Sequence, residues 1–252
     1  ISTFALTVQD AYEVYEVAAS YDRSDPFSKK INVNHLNAQL PHFHVGVPNQ
    51  NTRQFFGDIR QAKMFDDSLI SIEMLGGKIY ELDFEPFFQA AAMLYDGPWI
   101  AERHITVEKI IEENPAALHP VTLKVIENAL KFSATDTFKA QYRLQELTIQ
   151  IKEILNDIDM LCVPSVPKYF TLEDLRADPI GLNTQLGTYT NFVNLLDLCA
   201  ITVPTAMRQD NLPGSVTLIG KAGDDERIAS VAASLQKHEC APLGAKAVSY
   251  TH

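Results

Sequence analysis

The strongest constraint on the fold is a strand–helix–strand pattern in the first third of the chain. Phe43 to Val47 (FHVGV) reads as a short strand closed by Pro48. Residues 58–75 follow, with Ile59, Ala62, Phe65, Leu69 and Ile72 spaced for one face of a helix. Gly76-Gly77 supplies the positive φ at which such a helix ends. Lys78 to Phe84 (KIYELDF) then alternates as a strand does. Two strands joined through a helix are the unit of an α/β sheet.

The flanking segments fit that class. Thr7 is placed to cap a helix that carries Val8, Ala11, Tyr12, Tyr15 and Ala18. Residues 20–42 are polar, contain two prolines and read as a loop. Helices are expected over 85–94, 98–113, 120–131 and 135–157, the first two separated at Asp96-Gly97-Pro98. In the last of these, Phe138, Tyr142, Leu144, Leu147, Ile151 and Leu155 are expected to form mostly a core stripe. Met160 to Val163 is wholly apolar, as a strand buried on both faces would be. Further strands are expected over 200–203 and 215–219, and a closing helix over 224–236. The expectation is one α/β domain with a helical insertion.

Composition narrows the function. The 252 residues are 46 % hydrophobic, which excludes a disordered chain. Acidic residues number 32 against 21 basic ones, a net charge of −11, so no basic stripe exists to hold nucleic acid. No apolar run reaches the ~20 residues of a membrane helix, and no membrane partner is expected. Three scattered cysteines predict a reducing, cytoplasmic setting with neither a disulfide framework nor a zinc site.

Most familiar motifs are absent. The chain has no GxGxxG, no phosphate-cradling P-loop, no HExxH and no GxSxG. His42 and His44 lack a third ligand and read as solvated histidines, so neither metal nor cofactor is expected. Asp224-Asp225-Glu226 suits a helix start. Ser165 sits between prolines without a base and reads as a turn. Tyr95 and Arg103 straddle the Gly97-Pro98 break, and the planar guanidinium fork of Arg103 matches a carboxylate. The competing reading is that Tyr95 packs and Arg103 pairs with Glu102 or Asp96. Thr188 and Asn191, in Gly187-Thr188-Tyr189-Thr190-Asn191-Phe192, either cap a helix or bond a ligand.

Four stretches carry a family resemblance. They are Phe4-Ala5-Leu6-Thr7-Val8, Leu94 to Arg103 (LYDGPWIAER), Gly187 to Asn194 (GTYTNFVN) and Pro213 to Gly220 (PGSVTLIG). On these the chain resembles the amidase-signature family, and within it the allophanate hydrolases, over essentially its whole length. The resemblance implies a mixed sheet flanked by helices and hydrolysis of the amide of allophanate with release of ammonia. It implies that Tyr95 and Arg103 grip the substrate, Arg103 taking its carboxylate, with Asn191 and Thr188 as further substrate-binding residues.

The family's chemistry comes from a Ser nucleophile, a bridging Ser and a Lys, which lie upstream of the FALT-like stretch. Here that stretch occupies residues 4–7, and no GGSSGG-like run occurs. The expectation is therefore the C-terminal portion of a single amidase domain over 1–252, holding the substrate-recognition wall and no catalytic residue. Its expected partners are a small anionic amide and the N-terminal half of the same domain. Without that half, uncovered strand edges predict aggregation or a homo-oligomer. The alternatives are a non-catalytic anion-binding module, and a fragment of another amidase or of an amidotransferase subunit.

Overall fold

The strand–helix–strand unit forms as its residues require. In the computed structural model, which describes residues 2–37, 41–241 and 243–244, β1 (Phe43–Pro48) leads through α2 (Ile59–Met74) to β2 (Gly77–Leu82). α1 (Val8–Ala18) precedes them, its first turn capped by the Thr7 hydroxyl accepting from the Asp10 amide at 3.0 Å. Asp58 caps α2 by accepting from the Arg60 and Gln61 amides. Gly76 ends the helical region at φ +96°, where a side chain would run into the carbonyl oxygen of Pro41.

β1 and β2 pair in parallel, with Phe43 opposite Gly77 and Val47 opposite Glu81. The remaining strands are β3 (Met160–Pro164), β4 (Leu198–Thr205) and β5 (Gly214–Lys221). The sheet order is β2-β1-β3-β5-β4, parallel across its first three strands and antiparallel across the rest. This is the mixed sheet the resemblance implied.

Side chains alternate between two cores, one on each face of the sheet. Phe43, Val45, Val47, Met160, Cys162, Val216 and Leu218 join α1, α2 and α10 (Asp225–Glu239). Leu161, Val163 and Ile219 join α3 (Glu85–Asp96), α6 (Ala134–Ile154) and α9 (Phe192–Leu195). β3 is therefore apolar throughout because both of its faces are covered. The same burial pushes the Cys162 thiol well above its ordinary range. No helix among the described residues is long and apolar enough to cross a membrane.

Two helix faces differ from expectation. Ile59 is 80 % exposed. It lies about 120° around the helix from Phe65, and the buried stripe runs instead through Gln61, Met64, Phe65, Ser68 and Ile72. Phe138 and Tyr142 are also exposed and do not join the core stripe of Leu147, Ile151 and Leu155. They sit on the outward side of α6 and mark the edge of the helical insertion. That insertion contains α4 (Ile100–Glu113), which buries only Ile100, and α5 (Pro120–Glu127).

Short helices α7 (Leu172–Ala177) and α8 (Gly181–Leu186) lead from β3 toward α9. Asp224 precedes α10, whose first turn holds Asp225 and Glu226, as the acidic run implied. His42 and His44 are exposed. His44 Nδ1 lies 3.0 Å from the Asp157 carbonyl, and no metal-sized group of ligands exists among the described residues.

Candidate functional site

α3 and α4 meet at the break that the sequence marks. α3 starts with Glu85 and Pro86 and stops at Gly97, whose extended ψ of 179° turns the chain away. A Cβ on Gly97 would lie 2.5 Å from the Met93 carbonyl oxygen, so the turn requires glycine there. Pro98 and Trp99 then start α4. Tyr95 thus occupies the last turn of α3 and Arg103 the first turn of α4.

The turn folds these two side chains onto each other. The Arg103 guanidinium carbon stands 4.7 Å from the Tyr95 ring centroid, a cation–π contact worth about 0.5–2 kcal/mol. Arg103 makes no ion pair among the described residues, and neither Asp96 nor Glu102 bonds it. Its Nη1 is buried with no hydrogen-bond partner. An unpaired buried donor costs about 1–3 kcal/mol, more when charged. Tyr95 remains 42 % exposed, so the pair borders solvent. The arrangement is a cation held against a ring with one unsatisfied donor, a group whose chemistry suits a planar oxyanion in charge-assisted hydrogen bonds.

The 187–192 loop is fastened to the other end of α3. Tyr189 is fully buried, with its ring against Phe84 and Phe88. Its phenol oxygen accepts from the Gln54 amide at 2.6 Å and donates to the Gln54 carbonyl at 3.1 Å. Burial chiefly raises this phenol to about 12, so it keeps its proton and can donate at neutral pH. Phe192 packs on Phe87 with ring centroids 5.1 Å apart.

Thr188 Oγ1 donates to the Gln185 carbonyl at 2.7 Å and so closes α8. Asn191 precedes α9 with helical backbone angles and no capping bond from its side chain, and its amide packs over Gly187. The structure therefore brings Tyr95 and Arg103 together. It holds Thr188 and Asn191 on the same helix scaffold, without a hydrogen bond linking either residue to that pair.

A second polar cluster escaped the sequence reading. Arg208 is buried, with Nη1 donating to Asp58 at 2.9 Å and Gln61 at 2.7 Å, and Nη2 donating to Asp210 at 2.7 Å. Its guanidinium carbon lies 4.9 Å from the Tyr169 ring centroid. Gln61 passes the network on by donating to the Val166 carbonyl at 2.7 Å. Arg208 holds the Asp210 carboxyl down at about 2. For Asp58, burial pushes upward, but the Gln61 amide and Arg208 outweigh it and the net displacement is downward. Local sequence patterns do not reveal this cluster, because the ion partner of Asp58 lies 150 positions away.

This cluster ties down loops at one edge of the sheet. β1, β2 and β3 end there at Pro48, Leu82 and Pro164, and β5 starts there at Gly214. Ser165 stands at this edge, its Oγ accepting from Thr217 Oγ1 at 3.0 Å, which makes it part of the strand register. Open α/β sheets bind ligands outside the carboxyl ends of their parallel strands. Gln54, and through it the 187–192 loop, belongs to the same edge.

A sequence model of the amidase family matches residues 1–229. The chain belongs to the amidase family. It is 34 % identical over 228 residues to the urea amidolyase of Lachancea kluyveri, covering 89 % of this chain and 12 % of that protein. The Saccharomyces cerevisiae urea amidolyase is 32 % identical over 235 residues, covering 92 % of this chain and 13 % of its own. Among solved structures, Kluyveromyces lactis allophanate hydrolase superposes with a TM-score of 0.87 at 33 % identity, over 94 % of this chain and 39 % of that one. The amidase fold is thus shared over nearly the whole chain, which spans about an eighth of the urea amidolyases' length.

Proposed function

We propose that this chain forms the substrate-recognition portion of an amidase domain that hydrolyses the C–N amide of allophanate and releases ammonia. One observation carries the reading: the buried, unpartnered Nη1 of Arg103, held on the Tyr95 ring. Allophanate combines a carboxylate with a terminal amide. Arg103 takes the carboxylate and Tyr95 holds its guanidinium, while Asn191 and Thr188, in the loop at the far end of α3, are proposed to bind the substrate away from that pair. Similarity to urea amidolyases and to an allophanate hydrolase supports this assignment over other amides.

In this reading the serine nucleophile, its bridging serine and the lysine come from an N-terminal half of the same domain. β2 and β4 terminate the sheet among the described residues, and the length of the amidase relatives leaves room for such a half. The test is ammonia release. The 252-residue chain alone is expected to release none from allophanate, and activity in the purified chain refutes the division of labour. Assembled with the N-terminal half, Arg103→Ala is expected to raise KM for allophanate, and an unchanged KM refutes the recognition role.

A further inference from the structure

Phe55 to Asp58 make a tight turn in the loop between β1 and α2, with the Asp58 amide donating to the Phe55 carbonyl at 2.9 Å. Both central residues have positive φ, +46° at Phe56 and +81° at Gly57. That is the backbone of a type I′ turn, which selects Asn, Asp or Gly at its first central position. A bulky aromatic there works against the local chain, because its Cβ crowds the following carbonyl oxygen. Core packing does not account for the choice. Phe55 packs on Phe65 with ring centroids 6.1 Å apart, whereas Phe56 is 37 % exposed and meets no other aromatic ring among the described residues.

Three elements hold this strained turn in place. Tyr189 bonds both the amide and the carbonyl of Gln54 just before it. The Lys168 ammonium donates to the Phe56 carbonyl at 3.3 Å. Arg208 donates to the Asp58 carboxylate just after it. Strained backbone that its surroundings over-determine, carrying a side chain that the turn itself disfavours, marks a place where that side chain serves function. The turn also stands at the edge where open α/β sheets bind their ligands.

We propose that Phe56 is a specificity-determining residue, its ring the flat wall against which the amide end of the substrate lies. This rests on the reading of the chain as the recognition portion of an amidase domain. Arg103 then holds the carboxylate at one end of α3, and Phe56 meets the amide from the turn that Tyr189 fastens to the other end, beside Phe88. Allophanate is conjugated from its carboxylate through the bridging N–H to its amide, so it offers a flat π face to an aromatic ring. A methylene in place of that N–H breaks the plane. Phe56 therefore favours flat, conjugated amides over their methylene analogues.

The test compares allophanate with malonamate, its methylene analogue, on the chain assembled with its N-terminal half. Phe56→Asn and Phe56→Gly both suit positive φ and keep the turn. Each is expected to lower kcat/KM for allophanate relative to malonamate by about three- to tenfold, the worth of one aromatic contact. Where malonamate binds without turnover, its inhibition constant replaces kcat/KM in that ratio. Phe56→Tyr is expected to keep the unaltered ratio. Two substrates compared on one sample do not register how much of it is folded, so a merely structural role leaves the ratio unmoved. An unchanged ratio in both Phe56→Asn and Phe56→Gly overturns the proposal. If Arg103→Ala still weakens both substrates, that failure is confined to Phe56. An unaltered enzyme that hydrolyses neither compound overturns the underlying reading and the proposal with it.

Discussion

Replacing Arg103 with methionine should separate folding from recognition. The substitution removes the contact with Tyr95 at 4.7 Å, worth about 0.5–2 kcal/mol. It also removes a buried donor with no partner, which relieves about 1–3 kcal/mol. Methionine keeps most of the side-chain volume against the ring. The two effects nearly cancel, so the unfolding free energy should change by less than about 1 kcal/mol.

Anion affinity should respond differently. A hydrogen bond to a charged group contributes about 1.5–3 kcal/mol, or roughly 10- to 100-fold in the dissociation constant. Thermal unfolding and calorimetric titration with allophanate or malonate at millimolar concentration measure the two quantities on the same sample. Unchanged stability with lost binding is expected. A large fall in melting temperature with binding intact would refute the reasoning and make Arg103 a packing residue.

Three further outcomes follow from the fold. Gly76→Ala forces a side chain to φ +96° against the Pro41 carbonyl and should destabilise by about 1–2 kcal/mol or more in denaturant unfolding. Tyr189→Phe removes both bonds to Gln54, and hydrogen exchange should show the Gln54 amide losing protection while α3 keeps its own. Arg208→Met strands Asp58 beside Gln61 and should cost about 3 kcal/mol or more. The same cluster sets an acid limit. Asp58 and Asp210 are both depressed, so their stabilisation is complete above about pH 4 and is lost as pH falls toward 2. Arg208→Met should flatten that acid limb, and an unchanged limb would remove Arg208 from the account.

Local patterns read well from the sequence where one physical cause dominated. The Thr7 cap, the Gly76 stop and the apolar β3 run each follow from a few neighbouring residues, and each stands where expected. The break at Gly97-Pro98 likewise located Tyr95 and Arg103 on adjoining helix ends. What escaped were features set by distant parts of the chain. Which side of α6 faces the core depends on where α3 lies, so Phe138 and Tyr142 looked like core residues. Ile59 failed because two polar residues, Gln61 and Ser68, take its place on the buried face of α2. The Arg208 network joins positions 58, 61, 208 and 210 only after the sheet has formed. The unpaired state of Arg103 was equally hidden, since acidic neighbours at 96 and 102 offered partners that the helix geometry does not use.

A crystal structure of the chain soaked with allophanate tests the central claim most directly. The account predicts a carboxylate oxygen at hydrogen-bond distance, about 2.8 Å, from Nη1 of Arg103, with the guanidinium still stacked on Tyr95. Ligand bound elsewhere, or Arg103 turned away to pair with an acidic side chain of its own, would contradict it.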